Sequence, residues 1–374
     1  MINNKFIIFY CRTSISIIYT LAILKILNNK KKKILILNKN KACIHPKFIK
    51  VIIKVIKPVF DKIYFVNFNN DHIKGNLIKK ILLRNKNVVN IEKLTIFEKL
   101  NNLNIESYFG CGDEFDNAFF NSYKKNKKVN FCFMEHGYGN LINTIIFKPN
   151  IKNTIMYTLY KFFYFFNFLK LYPLKYKFFF GILGKNFEKN VDLYINNRKV
   201  KYIYIKNVIH EIKQLNKKIN FRSNIKKSVM INFSTLEYPK EKIYDLDNLI
   251  NTTINLINNR DYCYYTSHPR NKDQKKTISY VKKKLRVYKI NLKFINYKSF
   301  NFLPAELIIY LMKTNKIISN LSSIPLNLSI LDNKIKNYVF LDYSLNYPNL
   351  NHGPAHYKSC KKYYLKYFQK VKYI

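Results

Sequence analysis

The sequence predicts an α/β protein of two halves, each a mostly parallel sheet with helices on both faces, facing a common cleft. Three observations carry that reading. Short apolar runs of strand length alternate with stretches of helical length along most of the chain. The alternation lapses in a more polar stretch between about Lys185 and Lys226, then begins again. At 374 residues the chain suits two domains of ordinary size, and with 48% hydrophobic and 24% charged residues each can bury a core.

Taken in order, Phe6 to Tyr10 (F-I-I-F-Y) reads as a strand, Cys11-Arg12-Thr13-Ser14 as a polar turn, and Ile15 to Leu27 as a helix with a Ser or Thr at its start. Ile34 to Leu37 and Ile63 to Asn67 are the next strands, with a helix over Lys47 to Val59. Glu106 to Cys111 and Val129 to Met134 follow, with a helix over Asp113 to Lys125 between them. From Thr154 to Leu183 the chain is dominated by Phe and Tyr with Lys161, Lys170, Lys175 and Lys177 among them, and Pro173 interrupts any helix. That stretch is either a buried helix or an interfacial one. Asn186 to Phe221 is more polar and reads as a link between the halves.

The second series opens with the strand Val229 to Phe233 and Ser234-Thr235 at its tip. A helix over Asp245 to Asn258 leads to the strand Asp261 to Thr266, which ends in Ser267-His268-Pro269-Arg270. Gln274 to Leu285 is helical, Lys293 to Ile295, Ile317-Ile318 and Tyr338 to Leu341 are strands, and Pro304 to Leu311 is a helix opened by proline. Three segments result: 1–190, 225–350, and a basic aromatic helix in 351–374.

Composition narrows the partners. Lys and Arg total 67 against 21 acids, a net charge of +46, which suits a polyanion such as nucleic acid, anionic lipid or an acidic glycan. The joint abundance of Lys, Asn, Ile, Tyr and Phe, with no Trp, equally fits a gene whose base composition favours those codons. The lysine clusters Lys30 to Lys33, Lys124 to Lys128 and Lys226-Lys227 each precede an expected strand, away from the crevice at the strand tips. They are either solvated turns or a basic face that rests on anionic membrane. The six cysteines form no C-x-x-C pair and read as small core side chains in a reducing compartment. No apolar segment reaches the ~20 residues of a membrane span, and no signal peptide is evident, so a cytoplasmic protein is expected, in contact with the membrane at most peripherally.

The chemistry gathers at strand tips. Val129 to Asn140 reads V-N-F-C-F-M-E-H-G-Y-G-N: a buried strand, then Glu135-His136-Gly137 where glycines permit a tight turn. An acid at a strand's carboxyl end stands where open α/β sheets bind ligands. In the second half His268-Pro269 closes a strand, Pro304-Ala305-Glu306 opens a helix, and Ser322-Ser323 separates a strand from an apolar run. Hydroxyls and free N–H groups at a helix start suit a phosphate. A carboxylate accepts two hydrogen bonds from a ribose diol, and a histidine beside a phosphate stabilises a leaving group.

Glu135-His136-Gly137, His268-Pro269, Pro304-Ala305-Glu306 and Ser322-Ser323, in that order, resemble the motifs of bacterial GT-B sialyltransferases. The likeness is to glycosyltransferase family 52, the lipooligosaccharide sialyltransferases, and to the bacterial polysialyltransferases. Cys11-Arg12-Thr13-Ser14 is similar to their Cys-x-Thr-Pro turn, with Ser14 in place of proline. The resemblance implies two Rossmann-like domains, a CMP-sialic acid donor, a lipooligosaccharide or capsular glycan acceptor, inversion at the anomeric carbon, and neither metal nor cofactor. It makes Glu135 the general base and His268 the group acting on the departing CMP phosphate. It also gives substrate-binding roles to His136, Gly137, Pro269, Glu306, Ser322, Ser323, Ser234 and Thr13. The chain departs from the pattern at His136, where those families carry a second acid. A CMP-Kdo transferase of the same architecture is the nearest rival, and a nucleic-acid-binding protein, without any recognition motif, the more distant one.

Overall fold

The computed structural model describes residues 5–27, 31–40, 44–68, 77–123, 129–134, 158, 162–166, 168–170, 178–181, 199–202, 205–219, 227–233, 243–266, 274–289, 293–294, 303–320, 328, 334–340, 365 and 371–373. The chain divides into two compact units, Met1–Val208 and Ile209–Ile374.

The first unit holds a seven-stranded parallel sheet: β1 (Phe6–Cys11), β2 (Lys32–Asn38), β3 (Lys62–Val66), β4 (Ile105–Gly110), β5 (Asn130–Met134), β6 (Phe178–Gly181) and β7 (Lys199–Tyr202). The spatial order is β3-β2-β1-β4-β5-β6-β7. Every residue of β1 is buried, as an apolar strand covered on both faces requires. Helix α1 (Ser14–Leu27) is buried nearly all round from Ile15 to Ile23. Helix α2 (Pro46–Ile56) buries Phe48, Ile49, Ile52 and Ile56 on one face. His45 caps it, Nδ1 accepting the Lys47 N–H at 3.2 Å, so the first His-Pro of the chain is a helix start. Helices α3 (Leu77–Glu92), α4 (Thr95–Asn101) and α5 (Glu114–Tyr123) complete the described helices before β5.

The second unit contains a six-stranded parallel sheet: β8 (Ser228–Asn232), β9 (Tyr262–Thr266), β10 (Lys293–Phe294), β11 (Thr314–Asn320), β12 (Lys336–Phe340) and β13 (Lys372–Tyr373). Its order is β10-β9-β8-β11-β12-β13. Helix α6 (Ile205–Ile219) crosses the boundary between the units, and α7 (Ile243–Leu256), α8 (Gln274–Tyr288) and α9 (Ala305–Leu311) follow. Leu246, Leu249 and Ile250 of α7 share a core with Val281 and Leu285 of α8 and with Ile231 of β8.

Three expectations change. The aromatic stretch ends in a strand, Phe178–Gly181, since Pro173 precludes a continuous helix and a run of phenylalanines suits a pleated surface. The polar stretch read as a link contributes β7, whose K-V-K-Y has the two-residue period of a strand, and α6, which buries Ile212 and Leu215 at helical spacing. The helix expected in 351–374 lies mostly outside the described residues, and Lys372–Tyr373 at its end is β13.

Candidate functional site

In the first sheet the chain order reverses between β1 and β4, and in open α/β sheets ligands bind beyond the carboxyl ends at such a reversal. There β1 ends at Cys11 and β4 at Gly110. Thr13 caps α1: its Oγ1 accepts the Ser16 N–H at 3.3 Å while Ser16 Oγ accepts the Thr13 N–H at 3.1 Å. This is a reciprocal cap with serine in the place usually held by Glu or Gln.

Asp113 caps α5, its Oδ1 accepting from the Phe115 N–H at 2.9 Å. Its Oδ2 accepts the Tyr10 hydroxyl at 2.8 Å and lies 3.9 Å from Arg12 Nη1. Asp116, fully buried, accepts the Tyr108 hydroxyl at 2.6 Å and the Gly112 N–H at 2.5 Å. Gly112 has φ of 80°, a left-handed conformation that costs glycine nothing. Gly110 is confined differently, since a Cβ there would overlap the Asp116 carboxylate.

Burial lifts the Asp113 carboxyl above its ordinary value of 3.8, against the pull of the Arg12 guanidinium. Burial, and then the carboxylate each one faces, pushes the Tyr10 and Tyr108 phenols up. The Cys11 thiol is raised to about 12 and that of Cys111 is raised as well, both mainly by burial. These are protonated core side chains and not nucleophiles. The two aspartates thus hold the β1 and β4 tips rigid, and Arg12, 18% exposed, is the cationic edge of the arrangement.

On the far side of β4, β5 ends at the buried Met134, whose Sδ lies 3.3 Å from Thr20 Oγ1 of α1. Glu135, His136 and Gly137 come next in the chain and lie outside the described residues.

In the second sheet the order reverses between β8 and β11. One row crosses three strand tips, because Ser319 of β11 pairs with Asn232 of β8 and Asn232 with Thr266 of β9. Asn232 Nδ2 donates to Thr266 Oγ1 at 2.6 Å. Asn232 Oδ1 and Ser319 Oγ are buried and have no hydrogen-bond partner among the described residues. Leftover hydrogen-bonding capacity of this kind is uncommon in a parallel sheet. Ser234 follows this row by two residues, His268 by two and Ser322 by three; with Pro269 and Ser323 they lie outside the described residues.

Glu306 stands in the first turn of α9, 5% exposed, with Pro304 as N-cap. Lys313 at φ 49° turns the chain from that helix into β11. Of the ten candidate residues, Thr13 and Glu306 are described, one in each unit.

Sequence reasoning passed over Arg12, Gly110, Asp113, Asp116, Asn232, Thr266 and Ser319 as site residues. Two signals were present. Gly110-Cys111-Gly112-Asp113 is a glycine-rich strand-to-helix turn, and Asn232 and Ser319 are polar residues within otherwise apolar strands.

No family model and no curated protein matches the chain. Solved structures do. A sialyltransferase from Photobacterium damsela aligns over 99% of this chain and 81% of its own, with TM-score 0.51 and 11% identity. The UDP-GlcNAc 2-epimerase of Methanocaldococcus jannaschii, crystallised with UDP-GlcNAc and UDP, aligns over 98% and 92%, with TM-score 0.52 and 14% identity. At such identities the likeness establishes the fold, two Rossmann-like domains of the GT-B class.

Proposed function

We propose that this chain transfers sialic acid from CMP-sialic acid to a glycan or glycolipid acceptor, inverting the anomeric carbon. The observation that carries the reading is positional. Thr13, Glu135, Ser234, His268 and Ser322 follow the carboxyl ends of β1, β5, β8, β9 and β11 in sequence, within three residues of the strand or closer, and none follows an amino end. Those are the ends at which parallel α/β sheets bind their ligands. The unpartnered polar atoms of Asn232 and Ser319, at the reversal of the second sheet, further support a polar ligand there.

In this reading Glu135 removes the proton from the acceptor hydroxyl, which is a poor nucleophile until a base takes it. CMP departs as a phosphate ester, so its departure depends on charge neutralisation by donors already in place. His268 and the hydroxyls of Ser322 and Ser323 supply that, and Glu306 accepts from the ribose. His136, Gly137, Pro269, Ser234 and Thr13 line the substrates.

The test is a donor panel with the purified chain: CMP-sialic acid, CMP-Kdo, UDP-GlcNAc and other UDP-sugars, each with galactoside and sialoside acceptors. Sialylated product by mass spectrometry, with release of CMP, is the expected result. Transfer from CMP-Kdo or a UDP-sugar alone would overturn the donor assignment.

A further inference from the structure

Between the described strands β5 and β6, the first unit displays a cluster of aromatic rings. Phe162, Phe165, Phe166 and Phe168 are 53%, 79%, 52% and 69% exposed, and Phe163 is 39% exposed. Together they are five of the eleven large hydrophobic side chains exposed among the described residues, gathered within seven positions. Scattered exposed apolar residues need no explanation, whereas a contiguous patch does. This one is contiguous: the Phe162 ring lies 4.7 Å from that of Phe166 and 5.8 Å from that of Phe163, and Phe165 is 5.4 Å from Phe166.

The display is held in place. One helical turn joins the Phe166 N–H to the Phe162 carbonyl at 3.1 Å, and the Phe168 N–H reaches the Phe163 carbonyl at 2.9 Å. The Tyr164 hydroxyl, between the outward rings, donates to Asn121 Oδ1 of α5 at 2.9 Å. Asn121 in turn donates to the Lys170 carbonyl at 2.9 Å, and the Lys170 N–H donates to Asn85 Oδ1 of α3 at 2.5 Å. Tyr164 and Leu169, 7% exposed, are the inward anchors. The segment is therefore clamped onto α3 and α5 by its polar groups while its phenylalanines stay in water.

Of the two helices to which it is clamped, α3 is basic. Lys79, Leu82 and Lys86 form one exposed stripe of α3 at helical spacing, with Leu82 57% exposed. Exposed aromatic rings clamped to a helix with exposed lysines, on a chain of net charge +46, complement a surface that is apolar inside and negatively charged at its face.

We propose that Phe162, Phe163, Phe165, Phe166 and Phe168, together with the exposed Lys79–Leu82–Lys86 stripe of α3, dock this unit on an anionic lipid bilayer, the phenylalanines entering the headgroup and acyl boundary. The contact proposed is peripheral; among the described residues no helix is long and apolar enough to cross a membrane. Docking of this kind is independent of the reaction proposed above. It needs no donor or acceptor.

The chain has no tryptophan, so Phe165→Trp gives a single indole, excitable at longer wavelength than the tyrosines, at the most exposed ring of the patch. With the full-length variant, phosphatidylcholine vesicles containing phosphatidylglycerol should shift its emission to the blue, and phosphatidylcholine alone should do so weakly. Lys79→Gln with Lys86→Gln should weaken vesicle binding by on the order of tenfold, and added salt should weaken the parent in the same direction. Phe165→Ser and Phe168→Ser, at the two most exposed rings, should abolish co-sedimentation while leaving circular dichroism and melting unchanged. Tyr288→Trp, at an exposed position of the second unit, should not shift. An equal shift there would mean general adsorption and overturn the proposal. So would an unshifted Phe165→Trp, or a shift produced by protein concentration alone with a dimer mass in light scattering, which would assign the patch to a second copy of the chain.

Discussion

The carboxylate of Asp116 fills the space that any side chain at Gly110 would need. That carboxylate cannot simply move away, because it is itself buried and accepts both the buried Tyr108 hydroxyl and the Gly112 N–H. Gly110→Ala should therefore cost about 1–3 kcal/mol, the range for overpacking a dense interior. Asp116→Ala should cost a similar amount by leaving the buried Tyr108 hydroxyl unpaired and freeing the Gly112 N–H. The double variant removes the clash along with its cause, so it should be less destabilised than the sum of the two. Urea denaturation of the four proteins would reveal the coupling, and strict additivity would show that the two residues do not oppose each other.

Thr13 is the one substrate-binding candidate of the first unit with a described structural task. Its reciprocal cap with Ser16 predicts that Thr13→Ala lowers stability by about 1 kcal/mol and that Thr13→Ser restores most of it. If Thr13 also touches substrate, Thr13→Ala will raise KM under conditions where the protein is fully folded. An unchanged KM would confine the residue to capping.

The buried Asp113 sets a pH signature. Its folded-state value is raised by burial, so between the ordinary 3.8 and the raised value the folded chain keeps a proton that the unfolded chain has released. Stability from this group is greatest below that window and declines as pH rises through it. Asp113→Asn keeps an oxygen for the α5 cap and removes the titration. Melting temperature should then fall less steeply with rising pH in the variant than in the parent. A parallel pair of curves would mean that Asp113 titrates normally.

How much of this was legible in the sequence depends on where each residue's instruction comes from. The apolar runs within β1, β2 and β8 declare themselves, since a strand covered on both faces is apolar at consecutive positions through its middle. Thr13 was legible as a helix start because capping is local. The Gly110–Asp116 relationship was not, because it joins the end of a strand to the first turn of the next helix, and composition says nothing of which carboxylate turns inward. The row Ser319–Asn232–Thr266 needs the register of β8 between β9 and β11, which is long-range information. The strand Phe178–Gly181 was hidden by its own aromatic richness, which buried strand and buried helix share.

A phosphate held by Ser322 and Ser323 would be held in free CMP as well as in the donor. Ser322→Ala with Ser323→Ala should weaken CMP binding by about 1–3 kcal/mol, the range for hydrogen bonds to a charged group. If Glu306 accepts from the ribose as proposed, Glu306→Gln should weaken CMP and CMP-sialic acid together, because both carry that sugar. Calorimetry that gave parent affinity in the serine variant would remove the phosphate from this loop.

If the proposed reaction is right, Glu135 and His268 should fail differently, since in it one acts on the acceptor and the other on the leaving group. Glu135→Gln preserves size and removes basicity, so CMP binding should persist while transfer falls by roughly two or more orders of magnitude, the usual weight of a general base. His268→Ala should lower both, because the phosphate loses a partner present before and during departure. His136 decides between positions: it occupies the place where similar sialyltransferases carry a second acid. His136→Ala should leave the order of magnitude of the rate intact if Glu135 is the base. A silent Glu135→Gln alongside a dead His136→Ala would move the base by one residue, from a carboxylate to an imidazole, and the acid limb of the pH–rate profile would then follow a histidine instead of a carboxylate.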